Sequence, residues 1–131
     1  MKLIFCVDDR MGLAFNKRRQ SRDRVVIEKI LENNRGKKIT VSPYSESLFG
    51  DVPGVEVRES LSEGETCFAE REITEEMMKK ADELEVYFWN RAYPGDSFAE
   101  INEEEFCLTE EEEFQGSSHE KITRRKYMRR K

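Results

Sequence analysis

Short hydrophobic runs alternate with polar stretches along the chain, a pattern typical of the strands and helices of an α/β protein. Residues 2–9 (KLIFCVDD) are apolar at consecutive positions and predict a central strand that is buried on both faces. Four further runs have the β-branched or aromatic content of strands. They are residues 37–42 (KKITVS), 55–57 (VEV), 65–70 (ETCFAE) and 85–90 (EVYFWN).

Helices are predicted where apolar residues recur at helical spacing behind a capping residue. Apolar positions within residues 26–31 share one helical face, Ser21 is the expected N-cap, and residues 33–36 (NNRG) stop this helix. Thr74 is the expected N-cap of a shorter helix over residues 75–82.

Two intervening segments are predicted to be irregular or short. Residues 10–20 carry a glycine, an asparagine and four cations, which predicts a surface loop. Residues 43–50 (PYSESLFG) begin with a proline and predict a short helix or a turn. The chain is therefore expected to hold two to three short helices.

The C-terminal region predicts two long strands, residues 106–114 (FCLTEEEEF) and 119–131 (HEKITRRKYMRRK), joined by the turn QGSS. In an antiparallel hairpin the glutamates of the first strand would face the lysines and arginines of the second, which makes the cross-strand pairs favourable. The predicted fold class is α/β. We expect a single domain over residues 1–131, with a mostly parallel sheet and an antiparallel C-terminal hairpin.

Composition and charge exclude several classes of protein. Hydrophobic residues make up 37% of the chain, too many for a disordered protein, and the net charge of −5 argues against a dedicated nucleic-acid binder. The N-terminal apolar run is too short for a signal peptide or a membrane span, so a cytoplasmic location without membrane contact is expected. Cys6, Cys67 and Cys107 lack metal-ligand spacing and are expected to be buried thiols.

The order of these elements resembles that of the dihydrofolate reductase family. Residues 80–101 (KADELEVYFWNRAYPGDSFAEI) are similar to the ADELYLT strand and GDTFFPEI segment of that family. Residues 3–16 (LIFCVDDRMGLAFN) look like its first strand and active-site loop, and the C-terminal hairpin looks like its closing ribbon. The resemblance runs in register over nearly the whole chain and implies a dihydrofolate-reductase-like domain that is shortened in its middle.

Departures from the family pattern concentrate at the cofactor site. Ala69 and Glu70 stand where the family has two glycines that let a nicotinamide dinucleotide approach the backbone. Residues 42–45 (SPYS) stand where the family has the phosphate-facing GRKT, and residues 17–20 (KRRQ) replace the region of its LPW element. The resemblance therefore implies a retained scaffold with a lost cofactor cradle, and no cofactor is expected.

The opening of the chain is also similar to short bacterial sequences labelled ribonuclease Z, which implies a bacterial protein. That nuclease requires a histidine-rich metal motif of the HxHxDH type. The chain has one histidine, His119, which cannot supply a two-zinc site, so no metal is expected. No serine or cysteine partner for His119 is identifiable from the sequence, and a structural role is expected for it.

Candidate site residues cluster around the first predicted helix. Arg18, Arg19, Gln20 and Ser21 precede its N-terminus, where side-chain donors and the helix dipole together favour an anion. A solvated basic loop is the alternative. The resemblance implies that Asp23 falls near the acidic residue that protonates or orients the pterin, which makes it the candidate catalytic residue. The alternative is that Asp23 serves only the helix N-terminus.

Two further segments offer candidate ligand contacts. Ser42, Tyr44 and Ser45 of the SPYS segment present hydroxyl groups where the resembling family faces phosphates, although simple turn chemistry also explains them. Asp8 and Asp9 end the first predicted strand, where paired carboxylates could bind a cation or another ligand or perform acid–base work. The alternative is an Asp-Asp sequence that only leads into a turn.

Three function hypotheses follow from these features. The first is a non-reductase protein of this fold that binds a small anionic ligand or nucleotide in a cleft between residues 8–23 and the SPYS turn. The second is a divergent reductase that acts on a pterin with NADPH. The third is an interaction protein whose basic loop docks an acidic partner or RNA. A homodimer is also possible, because the terminal hairpin presents a strand edge.

Overall fold

The computed structural model, which describes residues 1–61 and 64–131, is an α/β arrangement of strands around one main sheet. The strands are β1 Lys2–Val7, β2 Gly12–Phe15, β3 Arg18–Arg19, β4 Ile39–Val41, β5 Val55–Val57, β6 Thr66–Phe68, β7 Glu83–Phe88, β8 Ser97–Phe98, β9 Phe106–Phe114 and β10 Ile122–Arg129. The helices are α1 Arg24–Asn33, α2 Glu46–Phe49 and α3 Glu75–Lys80, with a 3₁₀ turn at Pro43–Ser45.

The main sheet has seven strands in the order β5-β4-β6-β1-β7-β10-β9. The first five are parallel, while β10 runs antiparallel to β7 and β9 runs antiparallel to β10. Because β1 lies at the centre, both of its faces are covered, which explains its uninterrupted apolar sequence. The predicted α/β class, with a mostly parallel sheet and an antiparallel C-terminal hairpin, is confirmed.

The C-terminal hairpin pairs opposite charges across its two strands, as predicted. Lys126 faces Glu110 and Arg125 faces Glu111 in the register of β9 and β10. The Nζ of Lys126 lies 3.4 Å from Glu110, and the Nε of Arg125 lies 2.6 Å from Glu111. These exposed pairs offset the repulsion within each strand, although each contributes little to stability by itself.

Residues 10–20 were predicted to form a surface loop, and this prediction is wrong. They form β2 and β3, which join β8 in a second, three-stranded sheet of order β3-β2-β8. Asn16 and Lys17 adopt positive φ angles in the tight turn between β2 and β3. Strands this short present too few alternating positions to be recognised from hydrophobic periodicity.

The hydrophobic core occupies both faces of the main sheet. One face buries Leu3, Phe5 and Val7 of β1, and the other buries Ile4 beside Val26 of α1. This alternation follows from the opposite directions of successive side chains in a strand. No helix in the described part of the chain is long and apolar enough to cross a membrane.

Helix α1 begins two residues later than predicted. Asp23, not Ser21, is the N-cap, and its Oδ1 accepts a hydrogen bond of 2.9 Å from the backbone N–H of Val25. Serine and aspartate side chains both cap helices well. Ser21 makes tertiary contacts instead, which leaves Asp23 as the cap. The predicted N-cap Thr74 is confirmed in α3, where its hydroxyl accepts from the N–H of Met77 at 3.1 Å.

A buried ionic cluster joins the end of α1 to the centre of the sheet. Glu85 of β7 is fully buried, and its Oε1 lies 2.8 Å from the Nζ of Lys2 and 3.3 Å from the Nδ2 of Asn34, the C-cap of α1. The guanidinium of Arg124 lies 3.6 Å from the same oxygen. Burial and the neighbouring Glu85 raise the pKa of Tyr87, so its hydroxyl stays protonated and donates a hydrogen bond to the carboxylate of Glu85.

We expect the substitution Glu85→Ala to lower the free energy of unfolding by about 3–5 kcal/mol, because it leaves Arg124 buried without its counter-charge and leaves Lys2 with Glu83 alone. Urea unfolding followed by circular dichroism measures the change. Glu112→Ala, on the exposed face of β9, is the control and should cost about 0.5 kcal/mol or less. Equal losses in the two variants would contradict a stabilising role for the cluster.

Candidate functional site

The turn between β9 and β10, residues 115–120 (QGSSHE), folds over the N-terminus of α1 and binds the carboxylate of Asp23. Oδ1 accepts hydrogen bonds from the backbone N–H of Ser117 at 2.8 Å and from its hydroxyl at 3.1 Å. Oδ2 accepts from the N–H and hydroxyl of Ser118 at 2.8 and 3.1 Å. A Cβ atom at Gly116 would lie 2.4 Å from Oδ2, so this close approach requires glycine.

His119, in the same turn, connects Asp23 to two hydroxyl groups. Its Nδ1 lies 3.0 Å from Oδ2 of Asp23. Its Nε2 lies 3.0 Å from the hydroxyl of Ser21 and 2.9 Å from that of Tyr93. The ring of Trp89 stacks on the imidazole with centroids 4.7 Å apart. The structure therefore gives His119 a serine partner that the sequence did not reveal.

The carboxylate of Asp23 is held in its ionised form. Burial by itself would raise the pKa of Asp23, which is 3% exposed, but the hydrogen bonds from Ser117, His119 and Ser118 outweigh that effect and hold the pKa well below its usual range. An ionised carboxylate beside Nδ1 favours the tautomer with the proton on that nitrogen. The Nε2 atom then offers one acceptor lone pair, for which the hydroxyl protons of Ser21 and Tyr93 compete.

A second polar centre, formed by Arg19, Tyr44, Ser45 and Glu70, lies at the end of β6. The Nε of Arg19 lies 2.5 Å from the carboxylate of Glu70, and the hydroxyl of Ser45 donates to the same carboxylate at 2.7 Å. The backbone N–H of Arg19 donates to the Tyr44 hydroxyl at 3.0 Å, and its guanidinium lies over the Tyr44 ring. Three of the predicted ligand residues therefore meet around an anion supplied by the chain itself.

Glu70 occupies this position at an electrostatic cost. Burial raises the pKa of its carboxyl group, while the hydrogen bond from Ser45 and the charge of Arg19 act in the opposite direction. The side chain is 8% exposed. Because Glu70 and Ala69 directly follow β6, the chain itself places a methyl group and a paired carboxylate at the carboxyl edge of the parallel sheet.

Asp8 organises the turn after β1. It is 1% exposed and accepts hydrogen bonds from the backbone N–H groups of Arg10, Gly12 and Tyr93 at 2.9, 2.7 and 3.0 Å. Burial favours a raised pKa for Asp8, but the bonds from Tyr93, Gly12 and Arg10 prevail and lower it. The side-chain amide of Gln20 lies 3.4 Å from the same carboxylate. These contacts are those of a turn-forming aspartate.

The remaining predicted site residues lie apart from both centres or at their margins. Asp9 and Arg18 are exposed, and the hydroxyl of Ser42 lies 3.4 Å from that of Ser45. Among residues 1–61 and 64–131, no group of three or more His, Cys, Asp or Glu side chains could hold a metal ion.

An open groove of about 770 Å³ lies beside the Asp23–His119 centre, between α1, α2 and the hairpin turn. Ser21, His119 and Tyr93 line it together with the exposed Arg22 and Arg91. Neither of these two arginines forms an ion pair within the described residues. The groove is therefore positive beside a buried ionised carboxylate, and its size is that of small-molecule sites.

Sequence reasoning missed Trp89, Arg91 and Tyr93 as members of this site. They lie more than sixty positions from Ser21 and Asp23 along the chain, and no local spacing connects the two segments. The segment GSSH was the available signal, since it places two small hydroxyl residues and two free backbone N–H groups directly before the single histidine. Such a turn is well suited to binding a carboxylate.

We expect Asp23→Asn to lower the free energy of unfolding at pH 7 by about 2–3 kcal/mol, because the amide keeps the helix cap but loses the charge-assisted bonds to the turn. A lowered pKa in the folded state gives stability that is complete above the unfolded carboxyl pKa of about 3.9 and is lost below it.

The difference between wild type and Asp23→Asn should therefore stay constant down to about pH 4 and narrow at lower pH. Urea titrations across this range measure it. Asp9→Asn, at an exposed position with no such contacts, is the control and should show no comparable loss. A difference that grows on acidification would contradict the assignment.

Comparisons with known proteins support the fold. No family model matches the sequence, and a search of curated proteins returns no match. Among solved structures, a dihydrofolate reductase from Enterococcus faecalis, complexed with NADP(H) and RAB-propyl, is similar with a TM-score of 0.74. The similarity covers 99% of this chain and 96% of that chain at 13% sequence identity. The chain therefore has a dihydrofolate-reductase-like fold, and its function must be argued from its own residues.

Proposed function

We propose that this chain is a non-reductase protein of the dihydrofolate-reductase-like fold that binds a small anionic molecule, such as a carboxylate, phosphate or nucleotide. The proposed binding site is the groove between α1, α2 and the hairpin turn. The observation that carries the proposal is the pair of exposed, unpaired arginines, Arg22 and Arg91, in a groove that also presents Ser21, Tyr93 and His119. Guanidinium groups bind carboxylates and phosphates with two hydrogen bonds.

The proposed groove differs from the cleft expected between residues 8–23 and the SPYS turn. In that position Arg19 and Tyr44 are in direct contact, and Arg19 and Ser45 already bind Glu70. An external anion there would have to displace an internal carboxylate. In the groove beside His119 the carboxylate of Glu28 pairs with Arg24, whereas Arg22 and Arg91 face solvent and form no ion pair within the described residues.

Contacts at Glu70 support a role without a nicotinamide dinucleotide. A dinucleotide at the end of β6 would place its negative charges beside the Glu70 carboxylate and would compete for Arg19. Ala69 is fully buried and carries a Cβ atom, so it fills space that a glycine would leave open beside the backbone. These features favour the non-reductase proposal over the alternative of a pterin reductase.

Contacts at Asp23 also favour the non-reductase proposal over a pterin reductase. A pterin ring would need free carboxylate lone pairs, yet both oxygens already accept from the hairpin turn, and Oδ1 also accepts from the N–H of Val25. The alternative of a protein that docks an acidic partner or RNA would use the basic loop of Arg18 and Arg19, and ligand size distinguishes it from the proposal. A homodimer, a bacterial origin and a cytoplasmic location stay predictions.

Isothermal titration with inorganic phosphate, citrate and AMP tests the proposal. We expect at least one of these probes to bind wild type, and Arg91→Ala and Arg22→Ala each to weaken its binding about tenfold, equivalent to about 1.4 kcal/mol. Arg35→Ala removes the same charge from an exposed position outside the groove and is the matched control. Added salt should weaken binding, because the attraction is between exposed charges.

NADPH titration, read from the fluorescence of Trp89, the single tryptophan, completes the test. We expect no saturable change. Tight NADPH binding would contradict the non-reductase proposal, and NADPH consumption with dihydrofolate would establish the alternative. Equal weakening of phosphate, citrate or AMP binding in Arg35→Ala and Arg91→Ala would show that net charge, not the groove, attracts the anion.

A further inference from the structure

A continuous hydrogen-bond chain of carboxylate, imidazole and hydroxyl opens into the proposed binding groove. We propose that Ser21, His119 and Asp23 form a nucleophilic acyl-transfer site that hydrolyses small esters carrying an anionic group. The choice of an anionic substrate rests on the proposed function of the groove, whereas the chemistry rests on the geometry of the three residues.

The order of contacts is the one that activates a serine. Asp23 contacts Nδ1 of His119 at 3.0 Å, and the opposite nitrogen, Nε2, lies 3.0 Å from the Ser21 hydroxyl. An ionised carboxylate on Nδ1 leaves Nε2 as the acceptor for the serine proton and stabilises the imidazolium that forms when that proton is transferred. A buried structural histidine also needs a hydrogen-bond donor at its acceptor nitrogen, so the reactivity of Ser21 distinguishes the two roles.

The imidazole is fixed in this orientation by its surroundings. His119 is 4% exposed, stacks on Trp89 at an interplanar angle of 22°, and has the Ser118 hydroxyl 3.2 Å from Nδ1. Packing and hydrogen bonds of this kind hold a reacting group close to its productive geometry. Asp23 is a positioning residue here, because it acts on the substrate only through His119.

Ser21 is accessible to a substrate from the groove. It is partly buried and lines the groove beside Tyr93 and the two free arginines. The Tyr93 hydroxyl lies 3.3 Å from the Ser21 hydroxyl and 2.9 Å from Nε2. When a carbonyl group is bound at Ser21, this hydroxyl can turn to donate to the developing oxyanion. Arg22 and Arg91 would select esters that carry a carboxylate or phosphate.

The reaction balances with water as its only co-reactant. The Ser21 oxygen forms a bond to the carbonyl carbon as its proton passes to Nε2 of His119. The ester C–O bond then breaks, and the alcohol leaves with the proton from His119. Water attacks the acyl-serine in the same way, His119 returns the proton to Ser21, and a carboxylic acid is released.

A fluorophosphonate probe, which modifies activated serines, tests the nucleophile directly. We expect peptide mass spectrometry to place the adduct on Ser21 of wild type, and Ser21→Ala and His119→Gln to abolish it. Ser97→Ala is the control, because Ser97 lies in β8 and donates to the Arg71 carbonyl away from the groove. Circular dichroism verifies that each variant is folded.

Hydrolysis of mono-p-nitrophenyl succinate, an activated ester that carries a carboxylate, provides the second readout. We expect Ser21→Ala to lower kcat at least about 100-fold and Tyr93→Phe to lower it less. In folded Asp23→Asn, kcat should fall while KM is unchanged, which a purely structural role would not produce. If Tyr93→Phe hydrolyses the ester like wild type, the oxyanion role of Tyr93 is wrong.

Failure of this inference is distinguishable from failure of the proposed function. A folded wild type that binds phosphate, citrate or AMP through Arg91 but gives no adduct and no hydrolysis overturns the acyl-transfer site alone. An adduct that persists in Ser21→Ala overturns it as well. An adduct on Ser21 in a protein that binds none of these anions overturns only the anionic substrate class and the proposed function behind it.

Discussion

The carboxylate of Asp23 joins two parts of the chain that lie 96 positions apart and fixes how the fold is closed. As the N-cap of α1 it stands at the positive end of the helix dipole, and it accepts the N–H groups of the C-terminal turn at the same time. The turn can lie here only because Gly116 has no side chain. Helix α1, the terminal hairpin and the groove between them therefore depend on one buried charge.

The chain has two polar centres on its dihydrofolate-reductase-like scaffold, and they differ in how their charges are paired. At the end of β6, Arg19 and Ser45 bind the carboxylate of Glu70, so the charge of Arg19 is already paired within the chain. At the start of α1 it satisfies Asp23 internally but leaves His119 with an acceptor nitrogen and the groove with free guanidinium groups. One fold thus contains a centre whose charges pair with each other and a centre whose arginines face solvent. The fold alone therefore does not determine what either centre binds.

Much of the fold could be predicted because its strongest signals are local. The apolar run of β1, the aromatic run of β7 and the opposite charges of the terminal hairpin each follow from short-range periodicity or pairing. The three-stranded sheet was missed because β3 has two residues and β2 has four. Residue type alone predicts a helix cap at Ser21, because its partner, His119, is adjacent only in the folded chain. Candidate residues could be chosen by type, but their distribution between two centres is a tertiary property that no local pattern contains.

The ion pair of Arg19 and Glu70 also limits how this scaffold could be redesigned. Replacing Glu70 by glycine alone would leave the half-buried guanidinium of Arg19 without its opposite charge. Replacing Arg19 alone would do the same to the desolvated carboxylate of Glu70. Each single change is therefore unfavourable by itself, whereas the two together remove both charges. An engineer who wishes to open this end of the sheet to a bulky nucleotide must alter both positions in one step.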